Sequence, residues 1–271
     1  MEYQLIGSGR YSDVFDFNGY VLKLYKKCME NGSVEKEYYF SKLAYDNKIL
    51  TAEPKSIICE ENRKGIIFQK INGQTLLNII ISNPIKIKKL LKNFVKLQSQ
   101  IHSIELNNCK YTVKDHLRGS IKRNDQIEND DKDLIQEYIK KLPDGNSLCH
   151  GDFHPENVIF DNNEYYVIDW MTGMQGSIAA DVARTEMILK NADIPGIKPK
   201  AIKLILQIFQ KIFSKMYIKG YCKISMLKRK DINIWKLPLY IARLEENNSK
   251  EEENRLLKYI EKGIKKQKTS A

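Results

Sequence analysis

Apolar positions along the chain change period part-way, and the change marks two kinds of structure. Up to residue 68 they come in short runs with strand character. Tyr20-Val21-Leu22-Lys23-Leu24-Tyr25 and Ile66-Ile67-Phe68 are the clearest. One amphipathic stretch, opening at Ser33, predicts a helix between them, with Ser33 as its cap and acids in its first turn. Beyond residue 74 the helical period takes over. Leu90, Leu91, Phe94, Val95, Leu97 and Ile101 share one face, which makes His102 a packed or capping residue. Asp130–Leu142 predicts a second helix, stopped by Pro143-Asp144-Gly145. Val158-Ile159-Phe160 and Tyr165–Ile168 predict a hairpin. Ile202, Ile205, Phe209, Ile212, Phe213 and Met216 predict a long amphipathic helix. Trp235, Leu239, Leu244 and the segment Leu256–Ile264 predict the closing helices, with Lys265–Ala271 frayed.

Composition sets limits on this picture. A chain of 271 residues, 42% hydrophobic, can bury a substantial core as one bilobal unit or two small domains. No apolar run approaches the length of a membrane span, and the start Met-Glu-Tyr-Gln lacks the basic end and apolar core of a signal peptide. Five scattered cysteines suggest reduced thiols and a cytoplasmic location. The net charge of +11 raises nucleic acid as a partner. The excess is mostly lysine spread along helices, without the clustered arginines and stacking aromatics of phosphate recognition. Moreover, 142–189 holds no lysine, and its eight acids against the single Arg184 give −7. That local charge suits a site that concentrates Mg²⁺. The expected partner is a small molecule, with neither nucleic acid nor membrane.

Candidate chemistry lies in that acidic stretch, in Leu148-Cys149-His150-Gly151-Asp152-Phe153-His154-Pro155-Glu156-Asn157 and, after the hairpin, Val167-Ile168-Asp169-Trp170. Cys149, His150, Asp152 and His154 lack the two-pair spacing of a zinc site. Asp152 followed five positions later by Asn157 has the spacing of a kinase catalytic loop. Near the start, Ile6-Gly7-Ser8-Gly9-Arg10-Tyr11-Ser12 forms a loop between two strand-like runs. Gly7 and Gly9 carry no Cβ to keep phosphate oxygens from the backbone N–H groups. Lys23, at the centre of an apolar strand, is costly unless its ammonium meets an anion, and so reads as the lysine that pairs with nucleotide phosphates.

Taken in order, the loop, the strand lysine, the helix glutamate and the His-Gly-Asp tract resemble the aminoglycoside phosphotransferase and choline kinase-like family. These small-molecule kinases belong to the protein-kinase-like superfamily. The resemblance covers nearly the whole chain. It implies an α+β, bilobal, protein-kinase-like fold, with a β-rich nucleotide lobe over 1–73 and a mainly helical lobe over 74–271. It implies ATP and Mg²⁺, with Gly7, Ser8, Gly9, Ser12 and Lys23 at the phosphates and Asp152 as the base. Asn157 and Asp169 become the metal ligands. Glu37 or Glu35 pairs with Lys23, and the family's register favours Glu37. The hinge spans 69–73, with backbone groups of Gln69 and Ile71 facing the purine and Phe68 behind it. Asp181, in Asp181-Val182-Ala183-Arg184, braces the catalytic loop.

The implied activity is transfer of the γ-phosphoryl group of Mg-ATP to a hydroxyl of an aminoglycoside-like compound, an amino alcohol or a sugar. Glu245, Glu246, Glu251, Glu252 and Glu253 form either a seat for a polyamine acceptor or a solvated helix face. A protein kinase would carry His-Arg-Asp, Asp-Phe-Gly and Ala-Pro-Glu, and none occurs here. The non-enzyme alternative is a nucleotide-binding pseudokinase or regulatory protein, a class marked by loss of the lysine or the aspartates that this chain retains.

Overall fold

The computed structural model describes residues 3–27, 32–60, 62–191, 200–246 and 249–270. In chain order its elements are β1 (Gln4–Ser8), β2 (Ser12–Phe17), β3 (Tyr20–Tyr25), α1 (Ser33–Asp46), β4 (Pro54–Glu60), β5 (Arg63–Gln69), β6 (Gln74–Thr75), α2 (Leu76–Ser82) and α3 (Ile87–His102). Then come α4 (Val113–Arg123), α5 (Asn129–Lys141), β7 (Ser147–Cys149), β8 (Val158–Asp161), β9 (Glu164–Val167) and β10 (Met174–Gly176). The chain closes with α6 (Ile178–Asn191), α7 (Lys200–Ile224), α8 (Arg229–Asn233), α9 (Lys236–Leu244) and α10 (Lys250–Ser270). By contacts these fall into two compact units, 1–104 with 154–173, and 105–153 with 174–271. The first unit also holds α2, α3 and the β8–β9 hairpin.

The first unit is built on an antiparallel sheet in the order β1-β2-β3-β5-β4. β3 lies at its centre, and strand alternation decides what it offers. Leu22 and Leu24 are buried on one face, while Lys23 and Tyr25 share the other. Tyr25, Val34, Ala52, Ile66 and Phe68 form a core cluster, with Ile168 and Met171 packed on it. Helix α1 packs on β4 and β5. Its cap is Gly32, at φ 96°, rather than Ser33, which is the first helical residue. A left-handed residue there needs glycine, so the chain turns into the helix without a side-chain cap.

A second small sheet, β6-β8-β9, belongs to the same unit. It holds the hairpin expected from Val158–Phe160 and Tyr165–Ile168. Gly73 leads into it so closely that a Cβ there would lie 2.3 Å from the Phe160 carbonyl oxygen. The obstacle is backbone, which cannot rotate away. Gly73→Ala is expected to cost about 1–3 kcal/mol of stability, the usual range for overpacking, read as a lowered denaturant midpoint. An unchanged midpoint would mean that the strand yields freely.

The second unit is helical apart from the β7–β10 ladder. Helix α6 is buried almost all round, with Ala179, Ala180, Val182, Ala183 and Met187 inside, as expected for a central helix. Small residues let α7, α8 and α9 approach it. The buried face of α7 is Phe213, Tyr217, Ile218 and Tyr221, whereas Ile212 is 52% exposed. The side chains of Ile202 and Ile205 lie outside the described residues. Helix α10 does not fray over 265–270. Leu256, Ile260 and Ile264 anchor it, and Lys268 near its end pairs with Asp131 of α5 at 2.6 Å. Helix α4, which its sparse apolar positions do not announce, packs on α5 and α9. Cys59, Cys109, Cys149 and Cys222 are free thiols, and Cys28 lies outside the described residues.

Candidate active site

In the first unit the β1–β2 connection is a tight hairpin, closed by the Gly9 N–H donating to the Ser12 carbonyl at 2.8 Å. Gly7 and Ser8 are the last residues of β1, and Ser12, which is buried, opens β2. The Ser8 hydroxyl donates to Asp13 at 2.7 Å and Arg63 reaches the same carboxylate at 2.6 Å. Together they hold the Asp13 carboxyl below its usual range. Lys26 donates to the Gly9 carbonyl at 2.6 Å. A Cβ on Gly7 or Gly9 would meet nothing closer than 3.5 Å, so neither glycine is required by the packing of this chain.

Lys23 and Glu37 meet as the sequence predicts. The ammonium donates to both carboxylate oxygens, at 2.7 and 2.9 Å, and to Asp169 at 3.0 Å. Glu35 is turned away, exposed, and pairs with Lys64. The Tyr25 hydroxyl also donates to Glu37, a partner missed in the sequence. Its signal was present, since Tyr25 stands two residues from Lys23 and so on the same strand face. Glu37 is 1% exposed, and Asp169 is 38% exposed. Burial raises the Glu37 carboxyl above its ordinary value, with Lys23 opposing. For Lys23 burial favours the neutral amine, but Asp169 and Glu37 outweigh it and the ammonium is held charged. Two carboxylates face one ammonium, which leaves a surplus negative charge at the solvent-facing Asp169.

Asp169 is reached through strained backbone. Its φ of 65° and ψ of 67° lie in the left-handed region, which non-glycine residues enter at a cost and which recurs at functional sites. Asn157 ends a 3₁₀ turn, Pro155–Asn157, whose backbone is tied to the other arm of the hairpin. The Ile168 N–H donates to the Asn157 carbonyl at 3.0 Å, so Asp169 follows one residue beyond that tie. Asn157 is buried. At the expected hinge the Gln69 N–H is already engaged by the Glu53 carbonyl at 2.9 Å. Ile71 packs on the core cluster beside Phe68, and its N–H has no backbone partner among the described residues.

Asp152 belongs to the second unit, on a loop that leaves β7. Gly151 takes a φ of 76°, a conformation that accounts for glycine between His150 and Asp152. Asp181 of α6 accepts the Gly151 N–H at 2.7 Å and the His150 N–H at 3.3 Å, the bracing role expected of it. The Asp152 N–H donates to His150 Nδ1 at 3.3 Å.

Arg184, one turn along α6 from Asp181, is a second brace that sequence reasoning passed over. It donates to the Gly151 carbonyl at 3.0 Å, pairs with Glu246 at 2.6 Å and lies 4.0 Å from the Asp152 carboxylate. Its signal was its place as the single basic residue in 142–189. The acid cluster is likewise not bare. Glu245 pairs with Arg123, Glu246 also with Arg243, Glu252 with Arg243 and Glu251 with Arg255, while Glu253 accepts from Gln126.

Arg184→Met is expected to lower turnover about tenfold, the equivalent of one charge-assisted hydrogen bond, with nucleotide affinity unchanged. A variant as active as the parent would mean that the loop holds its geometry without this cation.

Residues 2–193 match the family model described as the phosphotransferase enzyme family. No curated protein matches the chain. Among solved structures, a thermostable mutant of aminoglycoside phosphotransferase APH(4)-Ia in its apo form gives a TM-score of 0.66 at 16% identity, over 98% of this chain and 94% of that one. The amicoumacin kinase hAmiN, in complex with AMP-PNP, Ca²⁺ and Ami, gives 0.62 at 15% identity, over 97% and 88%. A choline/ethanolamine kinase family protein from Mesorhizobium loti gives 0.59 at 12% identity, over 98% and 88%. These likenesses show a kinase-like fold, a β-rich N-terminal sheet followed by a mainly helical region.

Proposed function

The chain belongs to the phosphotransferase enzyme family, and from that premise we propose that it transfers the γ-phosphoryl group of Mg-ATP to a hydroxyl of a small molecule. The observation that carries this reading is the Lys23–Glu37–Asp169 arrangement. Glu37, buried and held by Tyr25, fixes the Lys23 ammonium where it can meet phosphate oxygens. Asp169 stays partly open and carries the surplus negative charge, which fits a hard divalent cation. Asn157 is the second ligand. Bound Mg²⁺ supplies neutralisation of charge on the transferring phosphoryl group.

The glycine hairpin supports the same reading. Nothing within the chain requires Gly7 or Gly9. Backbone N–H groups of Gly7, Ser8, Gly9 and Ser12 that can come close to phosphate oxygens give those glycines a purpose. At the hinge, Ile71 offers a backbone N–H to the purine and Gln69 its carbonyl. Asp152 orients the acceptor hydroxyl and takes its proton. Gly151, Asp181 and Arg184 hold the loop that presents it.

The acceptor class is a small hydroxyl compound, aminoglycoside-like, amino alcohol or sugar. Glu245, Glu246 and Glu252 near the C-terminus are already matched by arginines, so a polyamine acceptor would have to displace an ion pair there.

The test is an ATP-consumption screen of the purified protein with Mg²⁺ against aminoglycosides, choline, amino alcohols, nucleosides and sugars. Acceptor-dependent turnover supports the proposal and names the class. Tight Mg-ATP binding without turnover on any acceptor would favour a nucleotide-binding pseudoenzyme.

A further inference from the structure

One corner of the first unit serves none of this chemistry. Over 62–104 the chain has no acid and eight basic residues, Arg63, Lys64, Lys70, Lys86, Lys88, Lys89, Lys92 and Lys96. The last five lie within eleven residues, at the turn from α2 into α3 and along α3. All five are exposed, and none forms an ion pair with a described residue. Lys88, Lys92 and Lys96 recur every fourth position, so they line one outer face of α3 while Leu90, Leu91, Phe94 and Val95 bury the inner one.

Two further features single this corner out. Helix α3 starts with Lys86 at its cap and Lys88 and Lys89 in its first turn, with no acid and no capping side chain. Cations at the positive end of a helix dipole are destabilising, so the fold gains nothing from them. Beside them, Ile81 at the end of α2 is 68% exposed and Ile85, in the turn Pro84–Lys86, is 94% exposed. Isoleucines that protrude close in sequence to unpaired lysines are unfavourable in water and gain nothing from the packing of this chain.

We propose that this corner, Ile81 and Ile85 with the lysines of the α2–α3 turn and α3, docks the protein on an anionic phospholipid surface. Lysine suits a diffuse layer of headgroup charge, and the isoleucines enter the boundary between headgroups and acyl chains. A protein partner is disfavoured because 81–96 contains no tyrosine, tryptophan or arginine, the anchors that carry such interfaces. A nucleic acid would leave the isoleucines in water. Among the described residues no helix is long and apolar enough to cross a membrane, so the contact is peripheral.

The test is co-sedimentation of the full chain with vesicles of phosphatidylcholine alone and of phosphatidylcholine with about one-third phosphatidylglycerol, in about 0.1 M salt, where screening is near physiological. Folding of each variant is checked by circular dichroism. The parent is expected to bind the anionic vesicles at least about tenfold better than the neutral ones. Ile81→Ser with Ile85→Ser, which leaves the charge unchanged, is expected to weaken binding about tenfold. Lys88→Glu with Lys92→Glu and Lys96→Glu is expected to reduce it about a hundredfold or more. Equal charge reversal on α10, Lys258→Glu with Lys262→Glu and Lys265→Glu, is expected to have a much smaller effect.

No preference for anionic vesicles would overturn the proposal. So would isoleucine variants that bind like the parent, or an α10 variant as weak as the α3 one, since either makes the attraction diffuse charge. A chain that ignores vesicles but binds a short RNA through the same lysines would assign the corner to nucleic acid instead.

Discussion

Asp152→Asn is expected to lower acceptor-dependent ATP turnover by about 10²–10⁴-fold, the range contributed by a positioned general base, with the fold and nucleotide affinity retained. The substitution is nearly isosteric, and of the loop contacts described above it alters only the 4.0 Å pairing of the carboxylate with Arg184. Gly151 keeps its left-handed conformation, Asp181 keeps the Gly151 and His150 N–H groups, and the contact with His150 is made by the residue 152 backbone. What disappears is the carboxylate that, on the proposed function, takes a proton from the acceptor hydroxyl. The measurement is initial velocity against acceptor at saturating Mg-ATP, with nucleotide binding followed separately. Full turnover in the variant would remove Asp152 from the mechanism. A loss of nucleotide affinity equal to the loss of rate would instead mean that Asp152 acts in binding.

This loop is easy to read in the sequence because its requirements are local. A histidine, a glycine that must be left-handed, an aspartate and an asparagine five positions on lie within eight residues of sequence. The strand lysine is legible for a different reason. Charge inside Tyr20–Tyr25 is costly without a partner, so Lys23, taken together with the glycine loop and the His-Gly-Asp tract, implies an anion. Which anion is harder to read. Glu35 and Glu37 both stand in the first turns of α1, and only helical phase separates them. Val34, Glu37, Ser41 and Ala44 are the buried stripe of that helix, which puts Glu37 inside and Glu35 in solvent.

Other features are out of reach because their causes are distant in the chain or weak in signal. The cap of α1 depends on Gly32 at positive φ, and glycine is a weak cap signal compared with the serine that follows it. Helix α4 has only Val113, Leu117 and Ile121 as its apolar stripe, and Gly119 interrupts it. Arg184 is visible as a lone cation, yet its link to Gly151 and Glu246 spans residues far apart in sequence. The C-terminal glutamates show the same limit in reverse. They form an acidic patch in the sequence, and the fold brings arginines from α4, α6, α9 and α10 to them.

Lys23→Met is expected to abolish productive nucleotide binding and, independently, to lower stability by about 3 kcal/mol near pH 8, at the lower end for breaking a buried pair. Methionine matches the lysine stem, so packing against β2 and β5 survives. The loss is electrostatic. Glu37, 1% exposed, would keep only the Tyr25 hydroxyl among its present neutralising partners, whereas Asp169 can turn to water. The pH dependence separates this account from simple misfolding. Burial already raises the Glu37 carboxyl, and Lys23 is what opposes that rise. Without the ammonium the folded value climbs further. A carboxyl whose folded pKa exceeds its unfolded one stabilises the fold below the ordinary value of 4.5 and loses that contribution as pH rises through the folded value. The deficit of the variant should therefore be smallest at acid pH and grow as pH rises above the ordinary carboxyl range, as protonation ceases to relieve the stranded carboxylate. Denaturant midpoints of parent and variant across that range measure it. A deficit that is the same at every pH would show that Glu37 does not depend on Lys23 for its charge, and the electrostatic half of the proposed nucleotide site would need another explanation.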